Sequence, residues 1–295
     1  MTVNLGIPAV AAAGADAHAL STGPELGAAE FAAIAAIMQR DARIRLTDAK
    51  VTLVHSRLSR RLRNHGLTSF RDYLNLIESD REERAAMVVA LTTNHTHFFR
   101  ENHHFDHFRQ TTLPWLQTRA RSRPIRIWSA GCSSGEEVYS IAMCLLGQDA
   151  AAAGWLRTAD VKLLATDLAP HVVESTRSAV YPAGAVEPVP AVYRNSWMKR
   201  IGDDFEMVKQ ARDLVTARVL NLFESWPMRH KYDVIFCRNV MIYFDDAAKA
   251  ELEARFVDLL APDGFLYIGH SERLIGPAAL SMEPCGQTVY TKKGA

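Results

Sequence analysis

The chain has 295 residues, of which 48% are hydrophobic and 23% are charged, and its formal net charge at pH 7 is +1. This composition is typical of a soluble globular protein with one large or two modest domains. The nearly neutral charge, without a recognised nucleic-acid-binding motif, argues against a nucleic-acid partner. Charges or glycines interrupt every long apolar run, which argues against a membrane-spanning helix.

The cysteines and the N-terminal residues both favour the cytoplasm. Cys132, Cys144, Cys237 and Cys285 form no C-x-x-C pair and stand in apolar surroundings, as expected of reduced, buried thiols. Residues 1–26 are rich in alanine and glycine, and no Lys or Arg precedes their apolar patch as a secretory signal would require. We expect these residues to form a disordered tail on a cytoplasmic protein.

Residues 27–92 are predicted to form an all-α domain. Apolar residues recur there at helical spacing, for example at Val51, Val54, Leu58 and Leu62. The pattern indicates a bundle of helices that share one apolar core.

The same domain carries a basic region. Residues 43–63 contain seven Lys or Arg residues and one acid. Lys50, Arg57 and Arg61 are predicted to share a helix face, so they are candidates for docking an acidic partner. A solvated basic face is an equally good interpretation of the same pattern.

Residues 93–124 are predicted to form a connecting helix, which starts near Thr92 and extends to about Thr112, and a linker to the second domain. The five histidines of this segment invite a metal-site interpretation, and His103 and His107 have the i, i+4 spacing of two ligands on one helix. No third ligand has a plausible spacing, so we predict no metal.

Residues 125–142 are predicted to form a strand, a Gly/Ser turn and the start of a helix, an arrangement that cradles nucleotide-type cofactors. Gly131 and Gly135 allow the main chain to approach a ligand closely. Ser134 and Glu137 have the spacing of a capping box, which favours Glu137 as a helix cap.

Two acids in this turn indicate which type of cofactor it binds. The turn lacks the G-x-G-x-x-G fingerprint, and it places Glu136 and Glu137 where a pyrophosphate would need a bare, positive helix end. S-adenosylmethionine, a sulfonium cofactor with an ammonium group and a ribose, suits this acidic rim better than a dinucleotide does.

Two further strand ends supply polar groups. Residues 161–167 are predicted to form a strand that ends in Asp167, whose carboxylate can accept hydrogen bonds from both ribose hydroxyls or, alternatively, cap the following helix. Residues 232–244 form an apolar run that Arg238 and Asn239 interrupt, at the point where a buried parallel strand should reach the cofactor cleft.

Strands and helices alternate through residues 125–295, which predicts an α/β domain with a mostly parallel sheet covered on both faces. The alternation lapses at about residues 181–215, which are predicted to form a small inserted β subdomain. Two closing strands, at residues 265–269 and 287–291, are predicted to form an antiparallel edge.

Five motifs in this order resemble the chemotaxis receptor methyltransferase family, the CheR type. They are LTTNHTHFFR at residues 91–100, SAGCSSGEE at 129–137, ATD at 165–167, NLF at 221–223 and FCRNVMIYF at 236–244. Five ordered motifs between residue 28 and the C-terminus are far more specific than one Gly-rich turn. The resemblance implies an all-α N-terminal domain before a Rossmann-like, S-adenosylmethionine-dependent methyltransferase domain with a small inserted β subdomain. It also implies methyl transfer to glutamate side chains of chemoreceptors, which yields glutamyl methyl esters.

The resemblance also implies roles for single residues. Arg100 and Tyr243 match positions proposed to act on the substrate, although a surface helix residue and a core aromatic are the alternative interpretations. The residues that match cofactor contacts are Asn94, Thr96, Arg100, Glu136, Asp167, Asn221, Leu222, Arg238 and Asn239. The implied partners are chemoreceptor cytoplasmic domains, and we expect a monomer without direct membrane insertion.

Elementary chemistry agrees with a carboxylate substrate. A glutamate with a pKa of about 4.3 is ionised in the cytosol, so this nucleophile needs no general base. The reaction needs the carboxylate held in line with the methyl group at roughly 3 to 3.5 Å and partly stripped of water. We expect Arg100 and Tyr243 to orient the carboxylate through an ion pair and a hydrogen bond.

Three alternatives belong to other functional classes or pathways. A methyltransferase of the same fold could serve a chemosensory-like pathway with an output other than swimming. A non-catalytic cofactor-binding scaffold would have a damaged substrate site, which the presence of Arg100 and Tyr243 disfavours. A nicotinamide-dependent oxidoreductase is disfavoured by the missing third glycine and by the acidic rim.

Overall fold

The computed structural model describes residues 24–293. Most of the predicted disordered tail, residues 1–23, lies outside this range. Residues 24–26, the end of the predicted tail, pack on the helical domain. Leu26 joins its apolar core, and the Pro24 carbonyl oxygen is 2.9 Å from Nε2 of His55. Within residues 24–293, no helix is both long enough and apolar enough to cross a bilayer.

Four helices form the N-terminal domain. They are α1 (Ala28–Ala42), α2 (Val51–Asn64), α3 (Phe70–Ser79) and α4 (Arg81–Leu91). Apolar side chains from all four make one core, in which Val54, Leu58 and Leu62 of α2 are fully buried, as their spacing predicts. The side chains of Ser69 and Asp80 cap α3 and α4 by accepting main-chain N–H groups.

The connection between the domains differs from its prediction. Its regular elements are α5 (Asn102–His107), a π-helical turn (Phe108–Thr112) and α6 (Leu113–Arg119). The predicted helix is therefore wrong for residues 92–101. Phe99 and Glu101 have φ angles of 54° and 58°, in the left-handed region that a right-handed helix excludes.

A seven-stranded sheet forms the second domain. Its strands are β1 (Ile125–Ala130), β2 (Val161–Asp167), β6 (Val215–Val219), β7 (Tyr232–Cys237), β8 (Leu260–Ile268), β9 (Met282–Gly286) and β10 (Val289–Lys292). They lie in the order β6-β2-β1-β7-β8-β10-β9, and the first five run parallel. Strand β10 is antiparallel to β8 and to β9, so the predicted antiparallel edge is confirmed.

Buried strands and covering helices make this domain the predicted Rossmann-like α/β fold. Every residue of β7 is buried, as expected of a parallel strand covered on both faces. The covering helices include α7 (Glu136–Leu146), α8 (Pro170–Ser178) and α11 (Asp246–Leu259). The chain reverses its winding between β1 and β7, and doubly wound sheets bind ligands at the carboxyl ends of two such strands.

The predicted inserted subdomain is a small antiparallel sheet. It consists of β3 (Val180–Pro182), α9 (Ala191–Trp197), β4 (Met198–Ile201), β5 (Asp204–Met207) and the short helix α10 (Lys209–Arg212). The strand order is β3-β5-β4. Tyr181, Trp197 and Met207 bury this subdomain against the main core, so it is packed on the α/β domain.

Candidate active site

One large cavity, called here the central cavity, lies at the carboxyl ends of β1 and β7, where the helical domain meets the sheet. Its walls come from the α1–α2 connection, from residues 91–100 and from the loops after β1, β2, β6 and β7. The residues predicted from the sequence that line it are Lys50, Asn94, Thr96, Arg100, Asp167, Asn221, Leu222, Arg238, Asn239 and Tyr243. The fold thus gathers in one place residues that are up to 193 positions apart in the sequence, from Lys50 to Tyr243.

The turn after β1 brings main chain to the cavity wall. Gly131 has a φ of 81°, and a side chain there would collide with a methyl group of Val240. Ser133, with a φ of 50°, directs its N–H to Oδ2 of Asp167 at 2.9 Å. Only glycine fits the first of these positions without strain, because its main chain packs closely against Val240.

Helix α7 does not begin with the predicted helix cap. Gly135 is the N-cap and makes no side-chain cap, while the Ser134 hydroxyl donates to Glu136 at 2.7 Å. The predicted capping box between Ser134 and Glu137 is therefore wrong. Glu137 lines the central cavity, and Glu136 does not. Consecutive helix residues point about 100° apart, so only one of two adjacent acids can face the cavity.

Arg238 is buried between two carboxylates. Its Nη1 donates to Glu137 Oε2 at 3.1 Å, and its Nη2 lies 3.1 Å from Glu101 Oε2. Burial alone would raise the pKa of Glu101, but the charge of Arg238 and hydrogen bonds from His270 and Asn239 outweigh burial and lower this pKa to about 2. Burial raises the pKa of Glu137 above its usual value, against the opposing effect of Arg238.

Asp167 ends β2 and faces the cavity. Its Oδ2 accepts the Ser133 N–H at 2.9 Å, and its Oδ1 accepts the Ala169 N–H at 3.0 Å. A carboxylate has about four acceptor positions, so both oxygens can still accept a hydrogen bond from a ligand. Ala169 is the N-cap of α8, so Asp167 orders the loop before that helix in addition to its predicted contact.

Glu272 organises the loop after β7 from behind. This buried carboxylate accepts the N–H groups of Asn239 and Ile242, each at 3.1 Å, and that of Gly269 at 2.5 Å. It thereby holds Asn239, whose φ is 58°, and the short turn that presents Tyr243. Sequence reasoning missed Glu272, and its only signal was a lone acid just after the strand β8.

Tyr243 lines the cavity with a half-buried side chain. Within residues 24–293, no side chain or main-chain group hydrogen-bonds its hydroxyl. The hydroxyl is therefore available to a ligand, as its predicted role requires.

The α1–α2 connection covers one side of the cavity. Ile44 forms an antiparallel bridge with Phe244, and the Arg45 N–H donates to the Tyr243 carbonyl at 3.0 Å. Gln39 Nε2, at the end of α1, donates to Oδ2 of Asp245 at 2.7 Å. The helical domain is therefore part of the cavity wall and touches the same loop that carries Tyr243.

Asn221 belongs to this contact between domains. Its Nδ2 donates to the Asp41 carbonyl at 2.9 Å, and its Oδ1 accepts the Phe223 N–H at 3.0 Å. The side chain is thus engaged within the protein, while the residue as a whole lines the cavity. The structure adds a structural role to the contact predicted for Asn221.

Arg100 lies in a tightly anchored segment. Its Nη1 donates to the His95 carbonyl at 2.8 Å, and its own carbonyl accepts from Arg238. Phe98 and Phe99 on its N-terminal side are buried in the core. The guanidinium carries five N–H donors, so it can also bind a carboxylate in the cavity.

The three predicted docking residues do not form one exposed face. Lys50 precedes α2 and lines the central cavity. Arg57 donates to two carbonyls at the end of α4, and Arg61 pairs with the buried carboxylate of Glu83. Arg57 and Arg61 do lie on one side of α2, since both line the same pocket, but their guanidinium groups are engaged within the helical domain.

The histidines of α5 surround an ion pair. Potential ligand atoms of Glu101, His103 and His104 lie within 4.8 Å of one another. Burial lowers the pKa of His104 to about 3, so its ring is neutral at pH 7. Arg238 lies 3.1 Å from a Glu101 oxygen, so a divalent cation there would face a guanidinium charge. His107, the other half of the spacing noted in the sequence, instead contacts a tyrosine hydroxyl of the sheet.

Four features together define an S-adenosylmethionine-binding methyltransferase of the Rossmann-like class. They are the sheet order, the glycine turn after β1, the acid at the end of β2 and a cavity between β1 and β7, where the winding of the chain reverses. The residues present fit that cofactor. Asp167 keeps acceptor positions for ribose hydroxyls, and Glu137 adds a carboxylate on the cavity wall for an ammonium.

Comparison with known proteins identifies the family. Residues 94–290 match the model for the CheR methyltransferase SAM-binding domain, and residues 29–92 match that for the CheR methyltransferase all-alpha domain. A probable chemotaxis protein methyltransferase of Rhizobium etli is 43% identical over 86% of this chain and 97% of its own length. The chemotaxis protein methyltransferase of Escherichia coli is 40% identical over 90% of this chain and 91% of its own. The chain belongs to the CheR methyltransferase family.

Proposed function

We propose that this protein methylates glutamate side chains in the cytoplasmic domains of chemoreceptors, with S-adenosylmethionine as donor and S-adenosylhomocysteine and glutamyl methyl esters as products. One observation carries the proposal: Arg100 and Tyr243, which suit a carboxylate, line the same cavity as Asp167, which suits a ribose. The relatives named as chemotaxis methyltransferases support the pathway. The proposal places the protein in the cytoplasm, as a monomer.

We assign the cofactor side of the cavity to residues at the end of β2 and after β1 and β7. Bound there, S-adenosylmethionine supplies a methyl group on a positively charged sulfur. Asp167 accepts hydrogen bonds from the ribose hydroxyls, and Glu137 places negative charge near the ammonium. Arg238 is neutralised by its two acids, so it serves mainly to fix those acids and Asn239 in place.

The substrate side needs orientation rather than proton transfer. An ionised glutamate is already a nucleophile, so no general base is required. The free hydroxyl of Tyr243 and the guanidinium of Arg100 hold the carboxylate so that one oxygen points at the methyl group. Too strong an ion pair would lower the nucleophilicity of the carboxylate, which favours a role in positioning for Arg100.

The basic residues at the cavity mouth fit an acidic receptor helix. Arg43, Arg45 and Lys50 are exposed, and the last two line the cavity. They replace Arg57 and Arg61 as the residues to which we assign electrostatic docking. Exposed charges are screened by salt, so the encounter should slow as ionic strength rises.

The experiment is transfer of radiolabelled methyl from S-adenosylmethionine to receptor cytoplasmic fragments from the same organism. Base-labile label that disappears when the receptor glutamates are replaced by alanine is the expected result. Stable label, or binding of the cofactor without transfer to any fragment, would contradict the proposal. Arg100→Ala should lower transfer at least about 100-fold in a folded protein; unchanged turnover would remove Arg100 from the mechanism.

A further inference from the structure

Glu101 is the centre of a hydrogen-bond cluster just outside the central cavity. Its Oε1 accepts from Asn239 Nδ2 at 3.1 Å and from His270 Nδ1 at 2.7 Å. Its Oε2 accepts from the His270 main-chain N–H at 3.1 Å and lies 3.1 Å from Arg238 Nη2. The Glu101 side chain is 11% exposed, so these three hydrogen bonds and the Arg238 guanidinium replace most of the water around its carboxylate.

The ionised carboxylate of Glu101 can only accept hydrogen bonds, and this determines the orientation of the Asn239 side-chain amide. Of the two ends of the Asn239 amide, only Nδ2 can donate to Glu101. That end also packs against Gly269, where an added methyl group would lie 2.6 Å from Nδ2. Within residues 24–293, no group donates to Oδ1 of Asn239, and Asn239 lines the central cavity.

We infer that Glu101 is a positioning residue that fixes the amide of Asn239 so that its carbonyl oxygen, Oδ1, accepts a hydrogen bond from an N–H group of the cofactor. The inference rests on the proposed function for the identity of that cofactor. S-adenosylmethionine carries two such donors, the ammonium of its amino-acid part and the exocyclic amine of adenine.

Main-chain contacts make the arrangement rigid. The Asn239 N–H is bound by Glu272, so its left-handed backbone cannot shift freely. Glu101 has left-handed angles as well, with φ of 58° and ψ of 63°. Such strain is retained where surrounding contacts over-determine it, which is common in binding sites.

Glu101→Gln tests the inference because it keeps the size of the side chain. The Arg238 guanidinium and the His270 main-chain N–H can only donate, so they bind the glutamine oxygen. The glutamine NH₂ group is then directed towards Asn239. The Asn239 amide must then rotate and present Nδ2 to the cavity. We expect affinity for S-adenosylhomocysteine, measured by calorimetry, to fall by about 10-fold or more.

Asn239→Asp provides the reciprocal test. Beside Glu101 it places two carboxylates in contact, so affinity should also fall by about 10-fold. In the double variant, the new glutamine amide donates to one oxygen of the new aspartate and leaves its other oxygen facing the cavity, with the same net charge as in the wild type. We expect the affinity of the double variant to return to within about 3-fold of the wild-type value.

The controls separate positioning from folding and from the proposed reaction. Glu187→Gln, on an exposed residue, should bind like the wild type, and melting temperatures show whether each variant folds. Unchanged cofactor affinity in Glu101→Gln or in Asn239→Asp would overturn the inference. So would a double variant whose affinity is no higher than that of the single variant that binds less tightly. The readout is binding, so failure to methylate receptors would bear on the proposed function alone.

A fragment of the cofactor identifies the donor. 5′-Methylthioadenosine has the adenine amine but lacks the amino-acid part. If Glu101→Gln weakens this ligand as much as S-adenosylhomocysteine, the adenine amine is the donor; if only S-adenosylhomocysteine is weakened, the ammonium is the donor. Either result supports the inference, and loss for neither ligand contradicts it.

Discussion

Replacing Arg61 by alanine should destabilise the helical domain, because Arg61 is the main ionic partner of a buried acid. Glu83 on α4 is 5% exposed, and its carboxylate accepts from Arg61 on α2, from the Tyr73 hydroxyl at 2.6 Å and from His65 at 2.8 Å. These bonds join three of the four helices of the domain.

The size of the effect follows from the ionisation of Glu83. Burial alone would raise the pKa of this carboxyl, but hydrogen bonds from Arg61, Tyr73 and His65 lower it from 4.5 to about 2. That difference corresponds to about 3 kcal/mol in favour of the ionised form. Tyr73 and His65 remain in the variant, so we expect a loss of about 2 kcal/mol in the unfolding free energy of the domain at pH 7.

The pH dependence has a definite sign. Because the folded-state pKa of Glu83 lies below the unfolded one, its stabilising contribution is complete above pH 4.5 and is lost as the pH falls towards 2. The difference between wild type and Arg61→Ala should therefore shrink over this range.

Hydrogen exchange of the α2 and α4 amides measures the opening free energy of this domain separately from the rest of the chain. Arg60→Ala, on an exposed neighbour in the same helix, is the matched control and should change protection little. Equal protection in the two variants would refute the reasoning. Normal protection with lost receptor methylation in Arg61→Ala would restore the docking role that the sequence suggested.

Three further changes test the cavity. Asp167→Asn should weaken binding of S-adenosylhomocysteine about 10-fold by calorimetry; near-normal affinity would leave Asp167 with the ordering of its loop alone. Gly131→Ala should lower the melting temperature, since alanine at a φ of 81° costs at least about 1 kcal/mol and displaces Val240; an unchanged melting curve would contradict this. Gln39→Ala breaks the bond to Asp245, so stopped-flow experiments should show faster cofactor dissociation, and an unchanged rate would count against a covering role for the helical domain.

The sequence predicts features whose signal is local. The apolar run before Arg238 indicates a buried strand, and β7 is buried throughout. The spacing of Val54, Leu58 and Leu62 indicates the inner face of α2, and all three are fully buried. In both cases the period of the apolar residues is itself the physical cause of the element.

Long-range contacts explain what the sequence leaves open. Residues 92–101 look helical, but Glu101 is held in a left-handed conformation by bonds to residues more than 130 positions away, including Arg238 and His270. The role of Arg61 depends on Glu83, which is 22 residues further along the chain. Whether Glu136 or Glu137 faces the cavity depends on the residue at which helix α7 begins. A shift of that start by one residue would turn the other acid towards the cavity.

The contact between domains bears on how a carboxylate can react here. An ionised glutamate is strongly hydrated, and its attack on a methyl group requires partial loss of that water. The Arg45 N–H binds the carbonyl of Tyr243, so the segment that lines the basic mouth of the cavity is tied to the residue that we assign to orienting the carboxylate. On the proposed reaction, docking of an acidic helix at Arg45 and Lys50 and alignment of its glutamate at Tyr243 therefore take place on one connected surface. Displacing the helical domain should then impair turnover more than it impairs cofactor affinity.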